Sequence, residues 1–121
     1  MEIYKTTKSF PTLRLHSGSA LSEVEVPKEE KYGLTSQLRR SSVSVPSNIA
    51  EGYGRKTTQE YIQALYIAYG SNCELETQIL LSRDLGYLRL ENFEKLKQDI
   101  GDVERMLKAL IKALENKHSN P

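Results

Sequence analysis

The chain has no tryptophan, two phenylalanines, one cysteine and two histidines among its 121 residues. Each scarcity excludes something. A lone cysteine, Cys73, cannot close an internal disulfide and fits a reducing compartment. The histidines, His16 and His118, stand outside any Glu-x-x-His pair, so the di-iron arrangement of bundle enzymes has no ligand set here. With so few large aromatics, a core must be built from Leu, Ile, Val and Ala, and seven tyrosines are left for its edges. An excess of one charge is also missing. Seventeen basic side chains meet 16 acidic ones for a net +1, which gives no global drive towards nucleic acid or an anionic membrane. No stretch approaches the roughly 20 apolar residues of a membrane span, and Met1-Glu2-Ile3-Tyr4-Lys5 has no secretory apolar run. The expectation is a soluble, cytoplasmic chain forming one domain over residues 1–121.

What the sequence does have is helical periodicity. Phe93, Leu96, Ile100, Val103, Leu107, Leu110 and Leu114 alternate by three and four residues, the seam of a helix packed at a shallow angle on its neighbours. Asn92 is placed to cap its start, and Gly101 inside it predicts a close helix approach, since glycine otherwise costs about 1 kcal/mol there. A second helix is predicted from about Thr58 to Arg83, capped by Thr57 or Thr58 and stopped by Gly86. Its stripe is Leu65, Ala68, Asn72, Leu75 and Ile79, widened by Ile62, Tyr66, Tyr69, Cys73 and Leu80. The short link makes these two helices antiparallel neighbours. An earlier helix runs from Glu29 or Lys31 to Glu51 on Leu34, Leu38, Val45 and Ile49. Ser41, Ser42, Ser44 and Ser47 around Pro46 predict a bend, serving close packing or function. Residues 28–118 therefore carry three long helices.

Residues 12–27 alternate apolar and polar around Ser17-Gly18-Ser19-Ala20, the pattern of a short β-hairpin or an extended arm. Catalytic constellations are absent from this reading. Glu74 and Glu76, two apart on a helix, point in different directions. Gly52-Tyr53-Gly54-Arg55-Lys56 lacks the spacing of a phosphate loop. Ser71, Asn72 and Glu74 read instead as a polar core network that fixes helix register. No catalytic residue, metal, cofactor or small-molecule substrate is expected.

Charge is uneven along the chain. Residues 28–56 hold six basic and three acidic groups, whereas residues 91–121 balance six against six. Arg39, Arg40, Arg55 and Lys56 are thus the candidates for phosphate contact, and Tyr53 for stacking on an unpaired base. Alternatively the arginines pair with carboxylates, and Tyr61, Tyr66 and Tyr69 serve a protein interface or the wet edge of the bundle.

Two runs carry a family resemblance. Tyr32-Gly33-Leu34-Thr35-Ser36-Gln37-Leu38-Arg39-Arg40 and Val43-Ser44-Val45-Pro46-Ser47-Asn48-Ile49-Ala50-Glu51-Gly52-Tyr53-Gly54-Arg55 resemble the signature of the four-helix bundle protein family. Its members include proteins encoded in intervening sequences of large-subunit ribosomal RNA genes. The run Gly70-Ser71-Asn72-Cys73-Glu74-Leu75-Glu76-Thr77-Gln78, ending at Leu85-Gly86-Tyr87, is similar to the family's third helix. The resemblance implies an up-and-down antiparallel bundle, assembled as a homo-oligomer and commonly as a ring of five. It extends to the accessory variability proteins of diversity-generating retroelements, which implies RNA or a reverse transcriptase as partner. One departure stands out. Residues 1–10 resemble only the tail of the family's first helix, and residues 12–27 are an insertion. An oligomer, a neighbouring chain's arm or an upstream start would each cover the flank so exposed. The functional expectation is a non-enzymatic oligomeric RNA- or nucleoprotein-binding adaptor; the alternative is a purely structural protein–protein scaffold.

Overall fold

The structure is a computed structural model that describes residues 24–25 and 31–119, and every regular element among them is helical. A π-helical turn, Lys31–Thr35, feeds directly into α1, Ser36–Tyr53. Two further helices follow, α2 at Thr58–Asp84 and α3 at Leu90–Ser119. The remnant of a first helix expected at residues 1–10 lies outside the described residues. So does the hairpin or arm at 12–27 except for Val24 and Glu25, which form no strand. There the Glu25 N–H donates to the Tyr87 carbonyl at 2.8 Å, and Val24 packs on the core. No described helix is long and apolar enough to cross a membrane.

The helix ends follow local chemistry. Thr57, extended at φ −118°, accepts a hydrogen bond from the Glu60 N–H at 3.1 Å and opens α2, with Glu60 in the positive first turn. At the other end Gly86 takes φ +81°, where a side chain would be strained. The Tyr87 N–H reaches back to the Ser82 carbonyl at 2.8 Å and the Gly86 N–H to Arg83 at 3.0 Å, the paired bonds of a Schellman stop. Asn92 does not cap α3. The helix begins two residues earlier at Leu90, and the Phe93 N–H already bonds the Arg89 carbonyl at 2.9 Å.

Helix α2 touches both neighbours, which is why its apolar residues spread over two faces. Along α1 and α2 the contacts pair Gly52 with Ala64, Ser44 with Ser71, and Arg40 with Glu74. Along α2 and α3 they pair Tyr66 with Glu115, Tyr69 with Glu104, and Asn72 with Ile100. The core divides into two apolar clusters. Leu38, Leu75, Ile79, Leu88, Phe93, Leu96 and Ile100 form one, with Arg83 stacked 4.5 Å above the Phe93 ring. Val45, Ile49, Leu65, Ala68, Val103, Leu107 and Ile111 form the other. Between them in sequence on α1 and α2 lie buried Ser41, Ser42, Ser71 and Asn72.

The seam of α3 is as expected through Leu107, then shifts by one residue: Ile111 is buried while Leu110 and Leu114 are half-buried. A straight helix at 3.6 residues per turn drifts about 20° per heptad from a strict seven-residue repeat, and the last turns show that drift. The close helix approach is also elsewhere. A Cβ on Gly101 would meet only the Arg105 guanidinium, at 3.5 Å, whereas one on Gly52 would lie 2.7 Å from the Ala64 Cβ. Gly101→Ala is therefore expected to stabilise the protein by up to about 1 kcal/mol, through helix propensity and a less free unfolded chain. A urea titration comparing midpoints checks this.

Candidate nucleic-acid interface

The five proposed contact residues fall in two places. Arg39 and Arg40 lie near the start of α1; Tyr53, Arg55 and Lys56 lie at its end and in the loop to α2. Thirteen residues of helix separate Arg40 from Tyr53, roughly 20 Å along the axis, so they do not form one patch. Arg40 is held on one side by Gln37, with bonds of 3.0 and 2.9 Å, and on the other by the Glu74 carboxylate. Arg55 pairs with Glu51 one turn earlier. Among the described residues Arg39 and Lys56 are exposed and have no carboxylate partner. The Tyr53 ring sits edge-on to Tyr61 at 6.1 Å between centroids, with more than half of its surface exposed.

The polar network divides as well. Ser71 and Asn72 are buried. The Ser71 hydroxyl meets Ser44 at 2.7 Å, and the Asn72 amide donates to the Ile100 carbonyl at 3.0 Å. Asn48 braces Ser44 from one turn further on, at 2.8 Å to its carbonyl and 3.0 Å to its hydroxyl. Glu74 lies outside this network. It is exposed and holds Arg40, because its stretch of α2 turns towards solvent beside α1.

The widened stripe on α2 also needs correction. Tyr66 and Cys73 are exposed, and Tyr69 is half-buried. Tyr66 donates to Glu115 at 3.1 Å and Tyr69 to Glu104 at 3.2 Å, so both phenols are held above their ordinary pKa. For Tyr66 the bond to Glu115 is the main cause; for Tyr69 it is burial, then the bond to Glu104. The Glu104 carboxylate also bonds Lys108 at 3.4 Å, which raises the ammonium pKa. Burial first, and the charge of Glu104 second, push the Cys73 thiol upward, which makes it a poorer nucleophile at neutral pH. Among the described residues no three His, Cys, Asp or Glu side chains are grouped to hold a metal ion.

Sequence reasoning missed a set of residues on α3. Lys97, Gly101, Arg105, Lys108 and Lys112 recur every three or four positions. Lys97 and Arg105 border one cleft together with Glu76 and Glu94, and Lys108 and Lys112 border another with Glu115 that opens against Tyr66 and Tyr69; Arg105 pairs with Asp102 and Lys108 with Glu104. The balance of six charges against six over residues 91–121 concealed this face. Its signal was the spacing of the lysines, set against tyrosines three apart on α2.

A helical bundle with a split apolar core, a braced polar layer and a mixed-charge, tyrosine-bearing surface defines an all-α protein without a recognisable catalytic constellation among the described residues. Residues 13–109 match the family of 23S rRNA-intervening sequence proteins, and the chain belongs to that family. The fold is similar to that of a crystal structure from Bacteroides thetaiotaomicron, a protein with unknown function from the S23 ribosomal protein family. The TM-score is 0.71 at 20% sequence identity, over 91% of this chain and 98% of that one. No curated protein matches the chain.

Proposed function

We propose that the chain is a non-enzymatic, oligomeric helical-bundle adaptor that binds RNA or a nucleoprotein. The observation that carries this reading is the exposed loop cluster of Tyr53, Arg55 and Lys56, in which an open ring and an unpaired ammonium lie three residues apart. Bases stack on exposed aromatic faces, and free cations replace counterions on phosphate. Arg39 adds an unpaired guanidinium on α1; Arg40 and Arg55 must first exchange Glu74 and Glu51 for phosphate. The fold proposed is an up-and-down antiparallel bundle. The contact pairs support it, because residue numbers rise on one helix as they fall on its neighbour. Copies assembled in a ring would repeat the loop cluster around a rim and multiply weak contacts. A nucleoprotein partner such as a reverse transcriptase belongs to the same reading.

A second reading, a purely structural scaffold, is favoured by Val43 and Ile67. Both are exposed apolar residues, one on α1 and one on α2. The two readings separate in one experiment: light-scattering mass with and without short structured RNA, at low and moderate salt. The adaptor gives an oligomer that takes up RNA and releases it as salt rises. The scaffold gives an oligomer indifferent to RNA. The double substitution Arg39→Gln and Lys56→Gln is expected to weaken RNA binding at low salt and reduce the log–log salt slope by about two. Unchanged binding removes both residues from the interface.

A further inference from the structure

The outward side of α2 carries a second seam. Ile67, Gly70, Glu74, Thr77 and Leu81 recur by three and four residues over about 21 Å of helix, and all five are exposed. In a chain that is 27% charged, an exposed helix face is expected to hold several ions, yet this ridge holds only Glu74. Ile67 and Leu81 show 56% and 49% of their surface. A Cβ on Gly70 would meet nothing within 4 Å. No contact inside the chain therefore requires this glycine, which costs about 1 kcal/mol in mid-helix.

The charges on this face complement themselves. Arg40 on α1 reaches the Glu74 Oε2 through Nη2, and it reaches Gln37 through Nε and Nη2. Its Nη1 and the Glu74 Oε1 have no hydrogen-bond partner among the described residues. Each chain thus offers a free charged donor beside a free charged acceptor. The seam is symmetric about the same point, because Glu74 lies seven residues from Ile67 and seven from Leu81. A two-fold axis through Glu74 sets two copies of α2 antiparallel. It brings Ile67 onto the partner's Leu81 at both ends and Gly70 into close approach near the partner's Thr77. The free Arg40 Nη1 then meets the partner's Glu74.

We propose that this face of α2, with Arg40 of α1, is the surface on which two copies of the chain pair. A second copy is the occupant because a self-complementary contact needs what this face has: a matched donor and acceptor beside the axis, and matched apolar residues on either side of it. The proposal rests on the oligomer in the reading above, narrows it to two-fold pairs, and is independent of RNA.

Light-scattering mass over a range of protein concentration tests it, on the full chain and with helicity checked by circular dichroism. The parent is expected at twice the chain mass. Gly70→Ala should keep or gain helicity yet weaken pairing about tenfold, because the added methyl meets the partner. Arg40→Glu gathers four carboxylates at the axis, and Glu74→Arg gathers four guanidiniums. Neither variant should pair with itself, while an equal mixture of the two should pair again, a rescue that no contact within one chain can give. If all three variants keep the mass of an oligomeric parent, this face is overturned and the oligomer stands. A five-subunit parent overturns the face too, since a two-fold contact closes on two. A monomeric parent overturns both.

Discussion

Ile100→Asp is expected to leave the chain unfolded in neutral buffer, visible as loss of the helical circular dichroism signal. Ile100 is 2% exposed and sits among Leu75, Ile79, Phe93 and Leu96. Removing a buried aliphatic side chain of that size costs about 2–5 kcal/mol. A buried carboxylate without a cation adds several more. A domain of this size has only about 5–15 kcal/mol in total, so the sum exhausts most or all of it. Ile100→Val, which keeps the shape and loses one methyl, is expected to stay folded at a cost of about 0.5–1.5 kcal/mol. A folded Ile100→Asp protein would mean that α3 presents another face to its neighbours. Leu110 is a weaker probe of the same seam, because it is only half-buried and a carboxylate there can reach water.

Gly52→Ala carries the second large effect. The added Cβ would sit 2.7 Å from the Ala64 Cβ and 2.9 Å from the Tyr61 ring. The Ala64 Cβ is fixed to the helix backbone and moves only if α2 does. Overpacking of this kind costs about 1–3 kcal/mol, against a propensity gain of at most about 1 kcal/mol. Destabilisation wins, and Tm should fall by several degrees. Combining it with Ala64→Gly removes the obstructing methyl, so the double variant should lose less than the two single losses added together. Strict additivity would show that Gly52 and Ala64 are not in contact. The ring that must yield is Tyr61, whose edge supports Tyr53, so Gly52→Ala should also disturb the loop cluster proposed to meet RNA.

Legibility in the sequence tracked the source of each feature. The seam from Phe93 to Leu107, the Thr57 cap and the Gly86 stop were readable because each follows from local spacing or backbone chemistry. The outward positions of Tyr66 and Cys73 were not readable, because α2 packs on two neighbours and its apolar residues no longer mark one face. The role of Glu74 depended on a cation 34 residues away. Gly101 and Gly52 look alike in sequence, and only the path of the neighbouring helix makes one of them indispensable. The gathering of lysines, carboxylates and tyrosines along the α2–α3 junction was hidden by charge counting, which ignores direction.

The serine and asparagine layer has a consequence for how the protein breathes. It parts the aliphatic interior into two compartments, one towards the Gly86 stop and one towards the Gly54–Thr57 loop. The solvent-excluding contact that makes unfolding all-or-none is weakest where two compartments meet, so each acts as its own unit of local opening. The loop-side compartment holds Val45, Leu65 and Leu107 without a buried phenylalanine, whereas the other is anchored by Phe93 beneath the Arg83 guanidinium. Separate opening of the two compartments is expected to show as two groups of amide exchange rates along α2, one over its Leu65–Ala68 stretch and one over its Leu75–Ile79 stretch.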